Sequence, residues 1–161
     1  MNQLRTTKEN DFLDCLSIRQ GNERPSWDQV WSDVVRNISR RSSDPSFKVA
    51  AIVVTDDNTQ LLSLGYNGDH AGGPNCRESG SPGDSGFIHA EVNALIKLDF
   101  NSPKRKKMYV SLSPCRMCAK AIINARIDEV IYIEKYRDAS GIELLQSSGI
   151  KVRQLCEERD S

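Results

Sequence analysis

The sequence predicts a three-layer α/β/α domain built on a five-stranded mixed sheet, and three observations lead to that prediction. A continuous apolar run at residues 49–54 is followed, after a polar turn, by an apolar segment at 61–66, which indicates a hairpin. From residue 89 onward, three helical patterns alternate with three strand patterns, so the last three strands are expected to be parallel and joined by right-handed crossovers. A chain of 161 residues is long enough for one such domain to bury its own core.

The first helix is expected to begin after Ser26, because serine is a favoured helix N-cap. It is expected to end within residues 40–45, because the residue before a proline avoids helical geometry. Apolar side chains recur along this segment at the spacing of one helix face, and they predict a buried stripe. The stripe consists of Trp27, Val30, Trp31, Val34, Val35 and Ile38. Its two tryptophans are interpreted as packing against the core or against a second subunit.

The apolar strand at 49–54 is typical of a central strand that is covered on both faces. The segment 67–87 holds six of the ten glycines and two of the six prolines, which indicates a functional or mobile loop. One domain over 27–155 is expected, between an N-terminal extension at 1–26 and a C-terminal tail at 156–161. Its later elements are expected at 89–98 (helix), 108–112 (strand), 115–125 (helix), 130–133 (strand), 141–147 (helix) and 150–152 (strand).

The balance of charges argues against two classes of partner. Lysine plus arginine number 22 and aspartate plus glutamate also number 22, so neither general nucleic-acid binding nor binding to an anionic membrane is expected. No apolar run approaches the roughly 18 residues of a membrane span, and the first residues lack the apolar core of a secretory signal. A cytoplasmic protein is therefore expected. Five cysteines, an odd number, then favour thiol or metal chemistry over a disulfide framework.

Two short motifs carry the candidate chemistry, and each stands at the start of a predicted helix. Residues 89–91 read His-Ala-Glu and follow the glycine-rich loop, whereas residues 114–118 read Pro-Cys-Arg-Met-Cys and follow a strand. Cys115 and Cys118 lie on one helix face, and a helix N-terminus favours their thiolate forms. With His89 they make three ligands of the kind that bind tetrahedral zinc and leave its fourth position open.

Glu91 is the candidate catalytic residue. It lies two residues after His89, so it need not bind the metal and is free to exchange protons beside it. Each motif alone has an ordinary interpretation, a surface helix start for His-x-Glu and a redox pair for Cys-x-x-Cys. A redox pair would leave His89 and Glu91 unused, whereas the combination of both motifs is the signature of zinc-dependent nucleoside and base deaminases.

The chain resembles the cytidine deaminase superfamily and, within it, the deoxycytidylate (dCMP) deaminase family, from about residue 27 to 155. Two elements, Gly-Tyr-Asn-Gly and Lys-Tyr-Arg-Asp, make the chain similar to the dCMP deaminase family in particular rather than to deaminases in general. The matching segments lie at 41–45, 65–68, 89–94, 108–110, 118–120 and 135–138, together with the zinc motifs. The resemblance implies a cytidine-deaminase-like fold, zinc as cofactor, and hydrolytic deamination of dCMP to dUMP with release of ammonia, in the supply of thymidylate precursors.

The resemblance also implies roles for individual residues. The two cysteines and the histidine of the motifs would hold zinc, and Glu91 would carry protons. Asn67 would hydrogen-bond the sugar, and Tyr136 would help to close the pocket. Arg41 is the first candidate for the 5′-phosphate because a guanidinium group pairs with phosphate in a bidentate manner, although a solvated arginine after a helix is an equal alternative. The pocket lining is expected to include Val49, Ala51, Ala90, Ser113 and Pro114.

Two alternative functions stay open at this point. The loop at 69–87 departs from the loop usual in dCMP deaminases, so the substrate could instead be cytidine, guanine, a riboflavin precursor or adenosine in tRNA. A non-catalytic zinc-stabilised binding module is disfavoured because such a scaffold would not need Glu91. The resemblance further implies a homo-oligomer, a dimer or a hexamer, and regulation by dCTP or dTTP.

Three further features are interpreted without assigning them to the site. His70 and Cys76 supply two of the four ligands that a second, structural zinc would need, so a second metal is not expected. The basic run at 104–107 is interpreted as a solvated turn rather than a nucleic-acid contact. Cys15 and Cys156, near the two ends, are interpreted as plain thiols.

Overall fold

The computed structural model describes residues 24–81 and 83–155, which form a five-stranded sheet with helices on both faces. The helices are α1 (Trp27–Ser39), α2 (Ala90–Leu95), α3 (Arg116–Asn124) and α4 (Ser140–Ser147). The strands are β1 (Ala50–Thr55), β2 (Leu61–Tyr66), β3 (Lys106–Leu112), β4 (Glu129–Glu134) and β5 (Lys151–Gln154). The predicted α/β/α layers around a mixed sheet are therefore confirmed.

The strands follow the order β2-β1-β3-β4-β5 across the sheet. Strand β1 pairs antiparallel with both β2 and β3, whereas β3, β4 and β5 are parallel. Helix α3 connects β3 to β4, and α4 connects β4 to β5. Parallel neighbours need such crossover connections, because a tight turn between two strands makes them antiparallel. All six residues of β1 are buried, so its prediction as a central strand is confirmed.

The sheet separates two apolar layers. On one face, α1 packs through Val35 against side chains of β1, β3 and β4. On the other face, α2, α3 and α4 pack side by side over the sheet. The buried residues of this second layer include Ala51, Val53, Ala90, Ala94, Met108, Val110, Ala119, Ile122, Val130 and Leu145. Both predicted metal motifs therefore lie on the same face of the sheet.

Ser26 caps α1 as predicted, and a capping box fixes this helix start. The Ser26 hydroxyl accepts from the backbone N–H of Gln29, whose side chain accepts in turn from the backbone N–H of Ser26. The predicted helix at 89–98 is too long, because α2 ends at Leu95 and the chain continues in turns. Leu98 remains buried, and its backbone N–H donates to the Leu95 carbonyl in a turn. The apolar spacing of the sequence therefore continues past the end of the helix.

The prediction of a solvated turn at 104–107 is wrong for half of the run, because β3 begins at Lys106. The Lys106 side chain is buried, and its ammonium group donates to the carbonyl of Ser102.

At the start of α1, Trp27 and Trp31 stack on each other with ring centroids 5.6 Å apart. Trp31 packs against the core, whereas nearly half of the Trp27 surface is exposed.

Residues 1–23 and 156–161 lie outside the described residues, and so do the predictions for Cys15, Cys156, most of the N-terminal extension and the C-terminal tail. Over the described part of the chain, no helix combines the length and the apolar character that crossing a bilayer requires.

A cluster of ion pairs connects α1 to β4 and to the edge strand β5, on the face of the sheet opposite the metal motifs. Arg153 donates to the two oxygens of Asp28 at 2.7 and 2.9 Å and to Glu129 at 2.7 Å. The hydrogen bonds from Arg153 lower the pKa of Asp28. Burial acts to raise the pKa of Glu129, but Arg153 and Lys151 outweigh it and hold that pKa below its usual value. Both carboxylates therefore stabilise the fold in their charged forms.

Replacing Arg153 with methionine is expected to destabilise the fold by about 1–3 kcal/mol at pH 7, partial exposure to water reducing the cost. Because folding lowers both carboxyl pKa values, this stabilisation is complete above about pH 5 and is lost as the pH falls through the lowered values. Urea unfolding should show a difference from wild type that shrinks between pH 7 and pH 3. The exposed Arg36→Met control should change stability by less than about 0.5 kcal/mol, and a difference independent of pH would contradict this interpretation.

Candidate active site

His89 is the N-cap of α2 and stands at the end of the glycine-rich loop. The residue before it, Ile88, is fixed by two backbone hydrogen bonds with Gly68, which lies directly after β2 and Asn67. The backbone of His89 is extended, and its side chain makes no capping hydrogen bond to the helix. The imidazole is therefore available to groups outside its own helix.

Cys115 is the N-cap of α3 rather than its first residue, and Cys118 lies in the first turn of that helix. The imidazole Nδ1 of His89 lies 3.5 Å from the sulfur of Cys115 and 3.3 Å from the sulfur of Cys118. The three ligand atoms all lie within 4.8 Å of one another. The structure thus brings together the three predicted metal ligands from two separate helices.

These separations fit zinc. Tetrahedral zinc with ordinary bonds to nitrogen and sulfur holds such a pair of ligand atoms about 3.6 Å apart, close to the distances from Nδ1 to the two sulfurs. Nitrogen and sulfur are also ligand types that zinc prefers. Within the described residues, this is the one group of three or more such side chains close enough to share a metal, and His70 and Cys76 are not part of it.

The protonation of the two thiols is coupled. A hydrogen bond from Cys118 lowers the pKa of Cys115 to about 4, with a further contribution from His89. The same hydrogen bond raises the pKa of Cys118, and burial adds to that effect. The hydrogen bond with Cys115 raises the pKa of His89. The cluster therefore already favours a thiolate, which is the form of cysteine that binds a metal.

The backbone of α4 packs directly against the loop that carries Cys115. A Cβ atom built on Gly141 would overlap the carbonyl oxygen of Pro114 and would lie 2.9 Å from the carbonyl oxygen of Cys115. Glycine at this position therefore allows α4 to support the backbone of a metal ligand. The side chain of Pro114 is fully buried beneath this contact.

Replacing Gly141 with alanine is expected to displace the Cys115 backbone and to weaken zinc binding by about 10–100-fold, the range for groups that support metal ligands. It should also lower thermal stability, because the extra methyl group overpacks the core. Competition with a chromophoric chelator measures the zinc affinity. Gly80→Ala is the matched control, because nothing lies within 4 Å of its added Cβ. Unchanged zinc affinity in Gly141→Ala would contradict a supporting role.

Glu91 lies in the first turn of α2 and is 4% exposed. Burial raises the pKa of its carboxyl group above the usual value, although the nearby His89 opposes that effect. Glu91 lines the same cavity as the three metal ligands. A carboxyl group shielded from bulk water beside a cation site is suited to proton transfer with a bound ligand.

The site opens into a cavity of about 650 Å³, the size of a small-molecule pocket. His89, Glu91, Cys115 and Cys118 lie on its wall. The predicted lining residues Val49, Asn67, Ala90, Ser113 and Tyr136 also contribute to the wall. The backbone N–H of Tyr136 donates to the Ser113 hydroxyl at 2.8 Å, which links two of these residues.

Three predicted substrate residues lie elsewhere. Ala51 is fully buried in β1 within the core, and Pro114 is buried behind Cys115. Arg41 is exposed in the turn after α1 and is not among the residues that line the cavity. These three residues do not line the cavity because of where their segments lie in the fold, which their residue types do not reveal.

The sequence interpretation does not find an ion pair between the buried Asp44 and the half-buried Arg77 at the cavity. Asp44, from the loop before β1, accepts a hydrogen bond from Arg77 at 2.8 Å, and both residues line the cavity. Arg137 and Lys135, after β4, line it as well. Two signals were present in the sequence: Asp44 lies in the matching segment 41–45, and Arg77 is the single arginine of the glycine-rich loop.

Comparison with known proteins finds a family model and several relatives that resemble this chain. A family model described as "Cytidine and deoxycytidylate deaminase zinc-binding region" matches residues 25–134. ComE operon protein 2 of Bacillus subtilis (strain 168) is 34% identical over 140 residues, which cover 83% of this chain and 73% of the relative. Deoxycytidylate deaminase of Homo sapiens is 33% identical over 133 residues, which cover 77% of this chain and 74% of the relative.

A solved structure is similar over most of the chain. The crystal structure of dCMP deaminase from the cyanophage S-TIM5, in complex with dCMP and dUMP, has a TM-score of 0.70 and 30% sequence identity. The match covers 83% of this chain and 100% of the phage chain. The arrangement of strands and helices described above is therefore one that a nucleotide-bound relative shares.

Proposed function

The chain belongs to the cytidine and deoxycytidylate deaminase family, and we propose that it catalyses the hydrolytic deamination of dCMP to dUMP with release of ammonia. The observation that carries this proposal is the buried Glu91 beside the cluster of His89, Cys115 and Cys118 on one cavity wall. The relatives named deoxycytidylate deaminase and the phage enzyme bound to dCMP and dUMP support dCMP as the substrate.

The ligand set at His89, Cys115 and Cys118 fits zinc, and zinc bound there would supply a Lewis acid that makes a neighbouring water molecule acidic near neutral pH. Glu91 accepts a proton from that water and delivers it to N3 of the pyrimidine ring. The water oxygen bonds to C4 as N3 is protonated, so the C4–N3 double bond becomes a single bond. Glu91 then takes the remaining proton from the new C4 hydroxyl group and delivers it to the exocyclic amine. The bond from C4 to the amine breaks as the C4 carbonyl forms, so dCMP and water become dUMP and ammonia.

Asn67 is proposed to bind a sugar hydroxyl group. Its side-chain oxygen accepts from the backbone N–H of Val49 at 2.9 Å, and its side-chain nitrogen donates to the carbonyl of Phe47 at 2.8 Å. These contacts fix the plane of the amide on the cavity wall. Val49, Ala90 and Ser113 are proposed to enclose the pyrimidine, and Tyr136 to close the pocket over it.

The 5′-phosphate is proposed to bind at Arg77, with Arg137 and Lys135 adding positive charge to the same cavity. The contacts of Arg77 with Asp44 and with the Ser79 carbonyl occupy two of its five N–H groups. Asp44 also contacts Asn67 at 3.4 Å, so the proposed phosphate and sugar groups are neighbours, as they are in a nucleotide. Arg77 replaces Arg41 as the first candidate because Arg41 does not line the cavity.

A panel of substrates tests the proposed function. The zinc-loaded protein should release ammonia from dCMP at least about 10-fold more efficiently than from deoxycytidine, cytidine, guanine, a riboflavin precursor or a tRNA-derived adenosine substrate. Release from a different compound in preference to dCMP would reassign the substrate within the family. Zinc at one per chain with no release from any compound would favour a non-catalytic binding module.

Self-association is proposed as well, as a dimer or a hexamer. Two large apolar side chains after α2, Ile96 and Phe100, are more than half exposed and could be covered by another copy. Sedimentation at micromolar concentration tests this, and a fully active monomer would contradict it. Regulation by dCTP or dTTP stays a prediction, which titration of either nucleotide into the dCMP assay would check.

A cytoplasmic location is also proposed. Among the described residues Cys76, Cys115 and Cys118 are free thiols, and the reducing cytosol keeps thiols in the form that binds a metal.

A further inference from the structure

Asp44 contacts two cavity residues that the proposed function assigns to different parts of the ligand. Its carboxylate is 3% exposed. One oxygen accepts from Arg77 at 2.8 Å and from the backbone N–H of Ser46 at 2.8 Å. The other oxygen accepts from the Asn67 amide at 3.4 Å. A single buried carboxylate therefore contacts both Asn67, at the start of the glycine-rich loop, and Arg77, in the middle of it.

These contacts fix which atom Asn67 presents to the cavity. Both N–H groups of its amide are used, one by the carbonyl of Phe47 and one by Asp44. Its oxygen accepts from Val49 and retains one further lone pair. A flipped amide would place its oxygen against two acceptors, which is unfavourable. Asn67 therefore offers an acceptor to the ligand and matches a hydroxyl group that donates.

The same carboxylate determines where Arg77 can place its guanidinium group. Arg77 belongs to a loop without regular secondary structure and lies 33 positions after Asp44 in the sequence. Asp44 itself is held by the backbone N–H groups of Ser46 and Phe47, so its position does not depend on that loop. The ion pair therefore anchors this loop to a fixed point at the cavity.

We propose that Asp44 is a positioning residue that couples sugar recognition by Asn67 to phosphate recognition by Arg77. This inference rests on the proposed function and adds a residue whose role is to hold these two side chains in place. Coupling of binding free energies is reciprocal: if a bound phosphate strengthens binding of the sugar, then a bound sugar strengthens binding of the phosphate by the same factor. The affinity of the pocket for a nucleotide then exceeds its affinity for the corresponding nucleoside by a larger factor than the phosphate contact alone would give.

Binding of dUMP and deoxyuridine to the zinc-loaded protein, measured by calorimetry, tests the proposal without relying on turnover. In wild type, dUMP should bind at least about 30-fold more tightly than deoxyuridine. Asp44→Asn should reduce that ratio to less than about 5-fold. A purely structural role would weaken both ligands equally and leave the ratio unchanged, and that result would overturn the proposal. Asp84→Asn is the matched control, because Asp84 is an exposed aspartate of the glycine-rich loop, and it should leave both affinities within about 2-fold.

A second variant keeps the proposal testable if Asp44→Asn fails to fold. Arg77→Met removes the proposed phosphate contact and leaves the buried Asp44 carboxylate without its guanidinium partner, which is unfavourable and should disturb the contact of Asp44 with Asn67. It should therefore also weaken binding of deoxyuridine, which has no phosphate, by about 3–10-fold. Unchanged deoxyuridine affinity in Arg77→Met would overturn the coupling. Wild-type protein that neither binds dUMP nor deaminates dCMP would instead refute the proposed function.

Discussion

Replacing Glu91 with glutamine is expected to lower turnover of dCMP by about 10⁴-fold while fold and zinc content remain unchanged. General acid–base catalysis contributes roughly 10²–10⁴-fold, and Glu91 is proposed to serve both N3 and the departing amine, so the upper end is expected. Glutamine keeps the shape of the side chain and can still donate a hydrogen bond. It cannot accept and return a proton.

Steady-state kinetics with dCMP, together with zinc analysis and thermal melting of the same preparation, measure this effect. Substrate affinity should change by only a few-fold, because Asn67 and the cavity walls hold the ligand independently of Glu91. Glu143→Gln is the matched control, since Glu143 also lies in the first turn of a helix but is exposed. A Glu91→Gln enzyme within a few-fold of wild type would show that Glu91 only stabilises a helix start, an effect worth under about 1 kcal/mol.

Removal of either metal-binding cysteine is expected to abolish stoichiometric zinc binding. Cys115→Ala and Cys118→Ala each leave two ligands, one fewer than a catalytic zinc site uses. Zinc at 1,000 times its dissociation constant stabilises a fold by about 4 kcal/mol, so its loss should lower the melting temperature by about 8–16 °C in a protein of this size. Low solubility is a further expected consequence, because metal binding is coupled to folding.

Elemental analysis after gel filtration measures the zinc content directly. Wild type should contain one zinc per chain, and both variants should contain less than about 0.1. Cys76→Ala is the matched control, because Cys76 is an exposed thiol outside the metal cluster. Full zinc content in Cys115→Ala would contradict the ligand assignment.

The metal cluster could be predicted from the sequence because its geometry is largely local. Cys115 and Cys118 share a helix start, so their spacing alone places both sulfurs on one side. The position of His89 depended on a further inference, that α2 and α3 pack on the same face of the sheet. The alternation of strands and helices implied this packing, and the small residues Ala94 and Ala119 in the shared layer allow it.

The phosphate side of the cavity could not be predicted in this way. Arg77 lies in a segment without helical or strand periodicity, and its partner Asp44 is distant in sequence, so no local pattern relates them. Arg41 was selected by residue type and lies outside the cavity wall. The predicted end of α2 at residue 98 is also wrong, because an apolar pattern does not show where helical hydrogen bonds stop. Leu98 keeps the apolar spacing of the helix, but the hydrogen bonds after Leu95 are those of turns.

Zinc titration of metal-free protein, with dUMP formation from dCMP followed at each step, tests the central claim most directly. Activity should be absent without zinc, should rise in proportion to added zinc and should stop rising at one zinc per chain. Activity of the metal-free protein, or no dUMP at full zinc occupancy, would contradict the assignment of this chain as a zinc-dependent dCMP deaminase.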